Sequence, residues 1–356
     1  MGKASGKAEF RTIAAKLEIG IRQNRYVERI PELPALMEEF SVSKQTITRA
    51  LSLLRNNGVL KFKGRSGMLI DRSALKKRKI AIVAAWTDGR KKDLLSVLDP
   101  LIENMDMMGF EVDIIRGDSQ ENIFQPEHFI NDYDGFLLNN RFRYESTVKK
   151  IVAARIPFVC TSRLLWAPEV DSVWYDTISA VRQIATDLKN SGFRKIALLY
   201  TENTSGANDQ MYSAWRKIKK ELGLPRLSCD RVRFNDGGSW EKNAALLFSH
   251  IKNMKEKPEV LIHYGGKFDE RIASYRQETP GYPFGMRVVY QESLWEHCSF
   301  SPEDIIIKSS TRAQLLTESF CVLLERFLDP ESPPIHRKLF SKVEYMQELP
   351  RISKTS

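Results

Sequence analysis

The sequence predicts two architectures in one chain: a small N-terminal module of three helices with a hairpin wing, then a two-lobed α/β body built on parallel sheets. Three observations carry this. Residues up to about 70 show helical hydrophobic periodicity broken by a short turn, and close on two short strands joined by glycines. From Lys79 onward, buried strand runs alternate with amphipathic helices, a pattern that requires crossover connections and hence parallel pairing. The alternation forms two series, before and after Asp176, and 356 residues exceed one ordinary domain.

The first helix is expected over Ala8 to Asn24, because Phe10, Ile13, Ala14, Leu17 and Ile21 recur at helical spacing with charges on the other face. The second starts near Pro34, whose fixed φ and missing N–H suit a first helical turn, and carries Leu36, Met37 and Phe40. After Ser41-Val42, Ser43 can cap a third helix, Lys44 to Asn56. That helix turns Ile47, Ala50, Leu51 and Leu54 inward and Lys44, Gln45, Thr48, Ser52 and Arg55 outward. Asn57-Gly58 ends it, and Val59 to Phe62 and Met68 to Ile70 form a hairpin around Gly64 and Gly67. Together these make a winged helix-turn-helix.

In the body, strands are expected at Lys79 to Trp86, Phe110 to Arg116, Gly135 to Asn139 and Pro157 to Thr161, with helices at Lys91 to Met108 and Glu145 to Ala154. The second series has helices at Thr177 to Ser191, Asp209 to Leu222 and Trp240 to Met254. Its strands are expected at Lys195 to Tyr200, near Arg231 to Phe234, at Val260 to Tyr264 and at Met286 to Tyr290. A helix at Arg312 to Leu328 and a strand-like tail at Lys338 to Met346 follow. The domains are therefore expected at 1–70, with a charged linker at 71–78 and a body at 79–356. Its lobe 1 takes about 79–175 and 291–327, and lobe 2 about 176–290 and 328–356.

Charge separates the parts. Residues 1–78 hold 17 Lys and Arg against 7 Asp and Glu, while residues 79–356 hold 38 of each, so the net +10 sits in the N-terminal module and linker. A basic module on a neutral body is what phosphate-driven binding requires, because each neutralised phosphate releases counterions. The cysteines Cys160, Cys229, Cys298 and Cys321 lie far apart without metal-ligand spacing and read as reduced thiols. No apolar run reaches membrane-spanning length and no signal peptide is evident, so a cytoplasmic location is expected. Phosphate-loop, zinc-helix, nucleophile-elbow and dinucleotide motifs are missing from the sequence. No enzyme activity, cofactor or metal site is expected.

Two family resemblances then appear. Ile30 to Leu51, with Leu54, Gly58, Gly64 and Gly67, resembles the GntR-family winged helix-turn-helix over residues 8–72. Where that family commonly carries Ser-Glu-Arg at the start of its second helix, this chain has Glu32-Leu33-Pro34. Residues 79–353 resemble the ligand-binding domain of LacI-type regulators, which is related to periplasmic sugar-binding proteins. The resemblance is carried by Lys79 to Val83, Asp134 to Leu138, Ile156 to Cys160, Gly192 to Ala197, Val343 to Tyr345 and Leu349 to Ser353. Near Met211 that family often has a ligand-gripping arginine, and near Gln291 and Glu292 an aspartate.

These readings imply a sequence-specific DNA-binding regulator, a repressor in the favoured form, acting as a homodimer on a pseudo-palindromic operator. A small-molecule effector, a sugar first of all, binds between the lobes. DNA contacts are expected from Ser43, Lys44, Gln45, Thr46, Thr48 and Arg49 in the third helix, and from Lys61, Lys63, Gly64 and Arg65 in the wing. Effector contacts are expected from polar and aromatic residues following strands: Trp86, Asp88, Arg90, Asn140, Arg141, Arg163, Asp176, Asn203, Tyr264, Asp269 and Glu292. A DNA-binding regulator with a degenerate cleft, controlled by a protein partner or constitutive, is the alternative, and a solute-binding protein a remote one.

Overall fold

The structure, a computed structural model, describes residues 6–64, 67–84, 91–116, 128–138, 145–161, 167–200, 207–231, 249–264, 287–292, 305–308, 312–340, 343 and 345. It opens with α1 (Gly6–Arg22), α2 (Leu33–Phe40) and α3 (Lys44–Asn56), followed by β1 (Leu60–Phe62) and β2 (Met68–Ile70). α1 stops two residues earlier than expected, and Asn24 adopts φ 60° just beyond it. α2 begins with Pro34 in its first turn and ends at Ser41 in the left-handed region, φ 53° and ψ 43°. Two residues on, the Ser43 hydroxyl accepts from Thr46 N at 3.3 Å and starts α3. β1 and β2 pair antiparallel with Leu60 opposite Ile70, and Gly64 and Gly67 supply the positive φ that the tight turn requires.

One expectation is met only in part on α1. Of its charged residues Glu9 and Lys16 are exposed, but Glu18 and Arg22 are buried, as are Ala15 and the apolar stripe Ile13, Ala14, Leu17 and Ile21. A helix buried nearly all round has two packing partners. One is α3; the other belongs to the body.

The body contributes β3 (Arg78–Ala84), α4 (Lys91–Met107), β4 (Phe110–Arg116), α5 (His128–Asn131), β5 (Gly135–Leu138), α6 (Glu145–Ala153), β6 (Phe158–Cys160) and β7 (Asp171–Tyr175). It continues with α7 (Thr177–Asn190), β8 (Ile196–Tyr200), α8 (Ala207–Leu222), β9 (Val260–Tyr264), β10 (Arg287–Glu292), β11 (Ile305–Lys308), α9 (Arg312–Leu328) and β12 (His336–Leu339). A six-stranded sheet runs in the order β12-β7-β6-β5-β3-β4 and a four-stranded one in the order β11-β10-β9-β8. The strand pairs β3–β4, β3–β5, β5–β6 and β6–β7 of the first sheet, and all pairs of the second, are parallel. Parallel strands covered on both faces read as unbroken apolar runs, as in Gly135-Phe136-Leu137-Leu138, buried throughout.

The chain divides into two compact units, Met1–Trp174 with Ala313–Arg337, and Tyr175–Arg312 with Lys338–Ser356. The first unit contains the N-terminal module as well as the first lobe. Its body core gathers Ala81, Val83, Phe136, Leu138, Ile151 and Phe158. The second unit's core gathers Val181, Ile184, Ile196, Trp215, Ile218 and Ile262. Two expected lobe boundaries are displaced, from 290/291 to 312/313 and from 327/328 to 337/338. The cause is pairing: β10 bonds to β9 and β11, which keeps residues 287–292 and 305–308 in the second sheet.

Two strands lie where the sequence predicts none. β7 opens on Asp171 and Ser172, whose polarity masks a strand; there Asp171 is buried and neutralised by a bidentate bond from Arg326, at 2.7 and 2.8 Å. β11, Ile305 to Lys308, is short and flanked by polar residues. The strand expected from Arg231 starts instead in a 3-10 turn at Ser228–Arg231, and 232–234 lie outside the described residues. Of the helix expected at 240–254, residues 249–252 are helical and 240–248 lie outside. The tail strand runs earlier than expected, over His336–Leu339.

Candidate nucleic-acid interface

α3 presents one polar face because its apolar residues are committed. Ile47, Ala50, Leu51 and Leu54 are buried, so helical geometry turns Lys44, Gln45, Thr48, Arg49 and Arg55 to solvent. Ser43 fixes the start of that face by capping, and the left-handed Ser41 sets the angle at which α2 hands the chain to α3. The Thr48 hydroxyl donates to Lys44 O at 2.9 Å, and Thr46 Oγ1 shares a bond with Ser43 Oγ at 3.0 Å. Phosphate oxygens only accept, so the Thr48 hydrogen must leave its helix carbonyl to reach one. The Arg49 guanidinium rests 4.1 Å above the Phe10 ring on α1. Such stacking holds a long side chain in place and reduces the rotamer entropy still to be lost on binding.

In the wing, Lys63 and Gly64 are exposed, and bonds from Lys63 N to Gly67 O and from Gly67 N to Gly64 O close the turn. Lys61 forms an ion pair with Asp71, and bonds from Lys61 and Ser73 hold that carboxyl at a pKa of about 2. Lys61 thus braces the foot of the wing while its side chain stays largely exposed. Arg65 lies outside the described residues. Between the two lysines, Phe62 is 66 % exposed, a large apolar surface on a basic wing that the alternation of a short strand could not reveal.

The module is anchored within the first unit through α1. Arg22 donates to Glu18 Oε1 at 2.9 Å, to Met108 O at 3.0 Å and to Lys76 O at 3.2 Å, and its guanidinium lies 4.5 Å above the Phe110 ring. Arg11 pairs with Asp329 at 2.6 Å, and Asn57 Nδ2 donates to Leu328 O at 3.0 Å. Residues 71–78, expected as a linker, are structured. The Asp71 carboxylate caps a 3-10 turn at Arg72–Ala74, and Arg78 opens β3 with its guanidinium 4.0 Å above the Phe327 ring.

The expected effector residues lie mostly outside the described residues: Trp86, Asp88, Arg90, Asn140, Arg141, Arg163, Asn203 and Asp269. Their places in the chain are informative. In the first sheet β3 is flanked by β4 on one side and β5 on the other, so the strand order reverses there. Ligands of open parallel sheets bind beyond the carboxyl ends at such a point. Trp86 to Arg90 follow the end of β3, and Asn140 and Arg141 the end of β5. Tyr264 and Glu292 are the last residues of β9 and β10. Asp176 is committed locally: its carboxylate caps α7, accepting from Ser179 N at 3.2 Å and Ser179 Oγ at 2.8 Å, with Lys338 at 3.6 Å. Met211 is packed in the second unit's core.

Trp215 is a packing residue, as its helical setting suggests. It is buried, with its indole N–H donating to Asp230 at 3.0 Å. Cys160, Cys229 and Cys321 are buried free thiols whose pKa burial pushes up; Cys298 lies outside the described residues. Among the described residues there is no cluster of metal-ligating side chains, and no helix is long and apolar enough to cross a membrane.

Comparison with known proteins agrees with both parts. Residues 10–70 match the family of bacterial regulatory proteins, gntR family, and residues 103–266 match the periplasmic binding proteins and sugar binding domain of LacI family. No curated protein matches the chain. Among solved structures, a LacI family transcriptional regulator from Enterococcus faecium with bound ribose is similar at 13 % identity and TM-score 0.59, over 78 % of this chain and 100 % of that one. The transcriptional regulator CelR–cellobiose complex is similar at 17 % and 0.57, over 85 % and 90 %. A regulatory protein of LacI family from Chloroflexus aggregans is similar at 16 % and 0.59, over 74 % and 96 %. At these identities the likeness establishes the fold, and the families matched are those of transcription regulators.

Proposed function

We propose that this chain, which joins a GntR-type DNA-binding domain to a LacI-type effector domain, is a sequence-specific transcription regulator, a repressor in its simplest form, working in the cytoplasm as a homodimer. The observation that carries this is the polar face of α3, capped at Ser43 and flanked by the wing, in the part of the chain that holds the whole basic excess. Lys44 and Arg49 reach a guanine edge or a phosphate, Gln45 pairs with adenine in the major groove, Thr46 and Thr48 approach a phosphate or a thymine methyl, and Lys61, Lys63, Gly64 and Arg65 follow the backbone. Two modules engage half-sites of a pseudo-palindrome one helical turn, or a multiple of it, apart. The chain binds rather than catalyses.

The effector is a small polyhydroxylated molecule. A sugar needs a stacking plate and directional partners for its hydroxyls, which Trp86, Asp88, Arg90, Asn140, Arg141, Arg163, Asn203, Tyr264, Asp269 and Glu292 can offer. The relatives with bound ribose and cellobiose support this class. A second reading, a cleft that has lost its effector, draws on Met211, a buried core residue where the resemblance places a ligand-gripping arginine, and on Asp176, occupied as a helix cap.

Two measurements test the proposal. Genomic fragments retained by the purified chain should share one inverted-repeat sequence, and Lys44→Ala with Arg49→Ala should abolish the gel shift on it. Unchanged binding refutes the α3 assignment. Thermal-shift screening against ribose, cellobiose and related sugars should give a specific stabilising hit, whereas silence across the panel selects the degenerate cleft.

A further inference from the structure

Linked-regulator behaviour requires that the DNA-binding module be held by the body, and one cluster in the first unit does the holding. Arg337, on β12, bonds Glu325 Oε1 at 2.6 Å and pairs with Glu318, both on α9. The same guanidinium donates to Thr12 Oγ1 on α1 at 3.0 Å. Thr12 in turn bonds the Glu325 carboxylate, which is buried. The threonine hydroxyl therefore bridges an acceptor and a donor of the body, using both halves of its hydrogen-bonding capacity.

The position of Arg337 in the chain gives this cluster its meaning. It is the last residue of the first unit; Lys338 begins the final segment of the second. The preceding residue, His336, bonds Ser172 Oγ and Pro168 O, each at 2.9 Å. The following residue, Lys338, pairs with Asp176 at 3.6 Å, and Leu339 O accepts from Asp176 N at 2.8 Å. Consecutive residues of one four-residue strand are thus tied to β7, to the DNA-binding module and to the cap of α7.

We propose that Thr12 and Arg337 form a latch that docks the DNA-binding module on the first lobe, with Arg337 a positioning residue through which a rearrangement of β12 reaches α1. The proposal rests on the DNA-binding reading and adds its means of regulation. A docked module holds the two half-site readers of a dimer at a set separation; a tethered one does not. Displacing the backbone at Arg337 moves the group that Thr12 is bonded to, so a change at the crossing strand alters that separation.

The test uses the full chain with Thr12→Val, which removes the bridging hydroxyl and leaves Arg337 and Glu325 paired, and Arg337→Gln as a second variant. Hydrogen exchange is read first, without DNA. Amides of α1 should exchange about tenfold faster in the variants than in the parent, with β8 and β9 unchanged. Equal exchange in α1 overturns the latch. Next, the operator recovered from genomic fragments is compared with versions lengthened by about two and five base pairs between half-sites. The parent should lose affinity steeply with the insertions and Thr12→Val much less, while affinity for an isolated half-site stays the same in both. An identical spacing penalty in parent and both variants overturns the proposal. Should the parent retain no DNA at all, the DNA-binding reading itself fails, and hydrogen exchange alone upholds or overturns the latch.

Discussion

Glu18 and Arg22 are one turn apart on α1, and both are buried. Their pairing at 2.8 Å and the carbonyl bonds of Met108 and Lys76 satisfy the guanidinium on three segments of chain. Removing one partner of a buried pair strands the other, and we expect Glu18→Ala to destabilise the first unit by about 3–5 kcal/mol in denaturant unfolding. A loss under about 1 kcal/mol would show that water reaches the site. Tyr26 gives a second residue-level expectation. Burial, followed by its hydrogen bond to Glu39, raises its pKa to about 12. A raised pKa means that the neutral phenol stabilises the fold fully below pH 10 and that this contribution is lost as pH rises toward 12. Melting temperature should therefore fall across that window, and fall less in Tyr26→Phe, with Tyr133, also raised to about 12, accounting for part of the remainder. An unaltered slope in the variant refutes the assignment.

Elements met by long-range approach behave differently from those fixed locally. β5 begins at Gly135 because α9 passes directly over it: a Cβ there would lie 2.8 Å from the Phe327 ring and 3.2 Å from Leu323. Gly135→Ala should overpack that crossing and cost about 1–3 kcal/mol, and Phe327→Leu in the same chain should recover part of it. A neutral Gly135→Ala would mean that α9 can withdraw without loss. α3, by contrast, is set by its own residues: a capping serine, an apolar stripe at helical period and a closing Asn-Gly, all legible in the amino-acid order alone. β7 is not legible there, because Asp171 reads as loop until Arg326, 155 residues away, neutralises it.

At the scale of the molecule, charge is the property that acts over distance. With the net +10 confined to residues 1–78, DNA affinity should fall log-linearly with salt, and Lys44→Ala should reduce the slope by about one if its ammonium meets a phosphate. A slope unchanged on purified operator assigns Lys44 to a base instead. The winged helix-turn-helix, the alternating body with its parallel sheets, the outward face of α3 and the confinement of charge to residues 1–78 are all legible in the amino-acid order, because each depends on local periodicity, turn chemistry or composition. The folded chain had to show that α1 has a second face, that the strands at 287–292 and 305–308 stay with the second sheet and that 71–78 are structured. It alone tied Arg337 to Thr12, 325 residues apart. Those outcomes rest on partners distant in sequence, and a buried charge such as Arg22 is indistinguishable from a solvated one until its partners are in place.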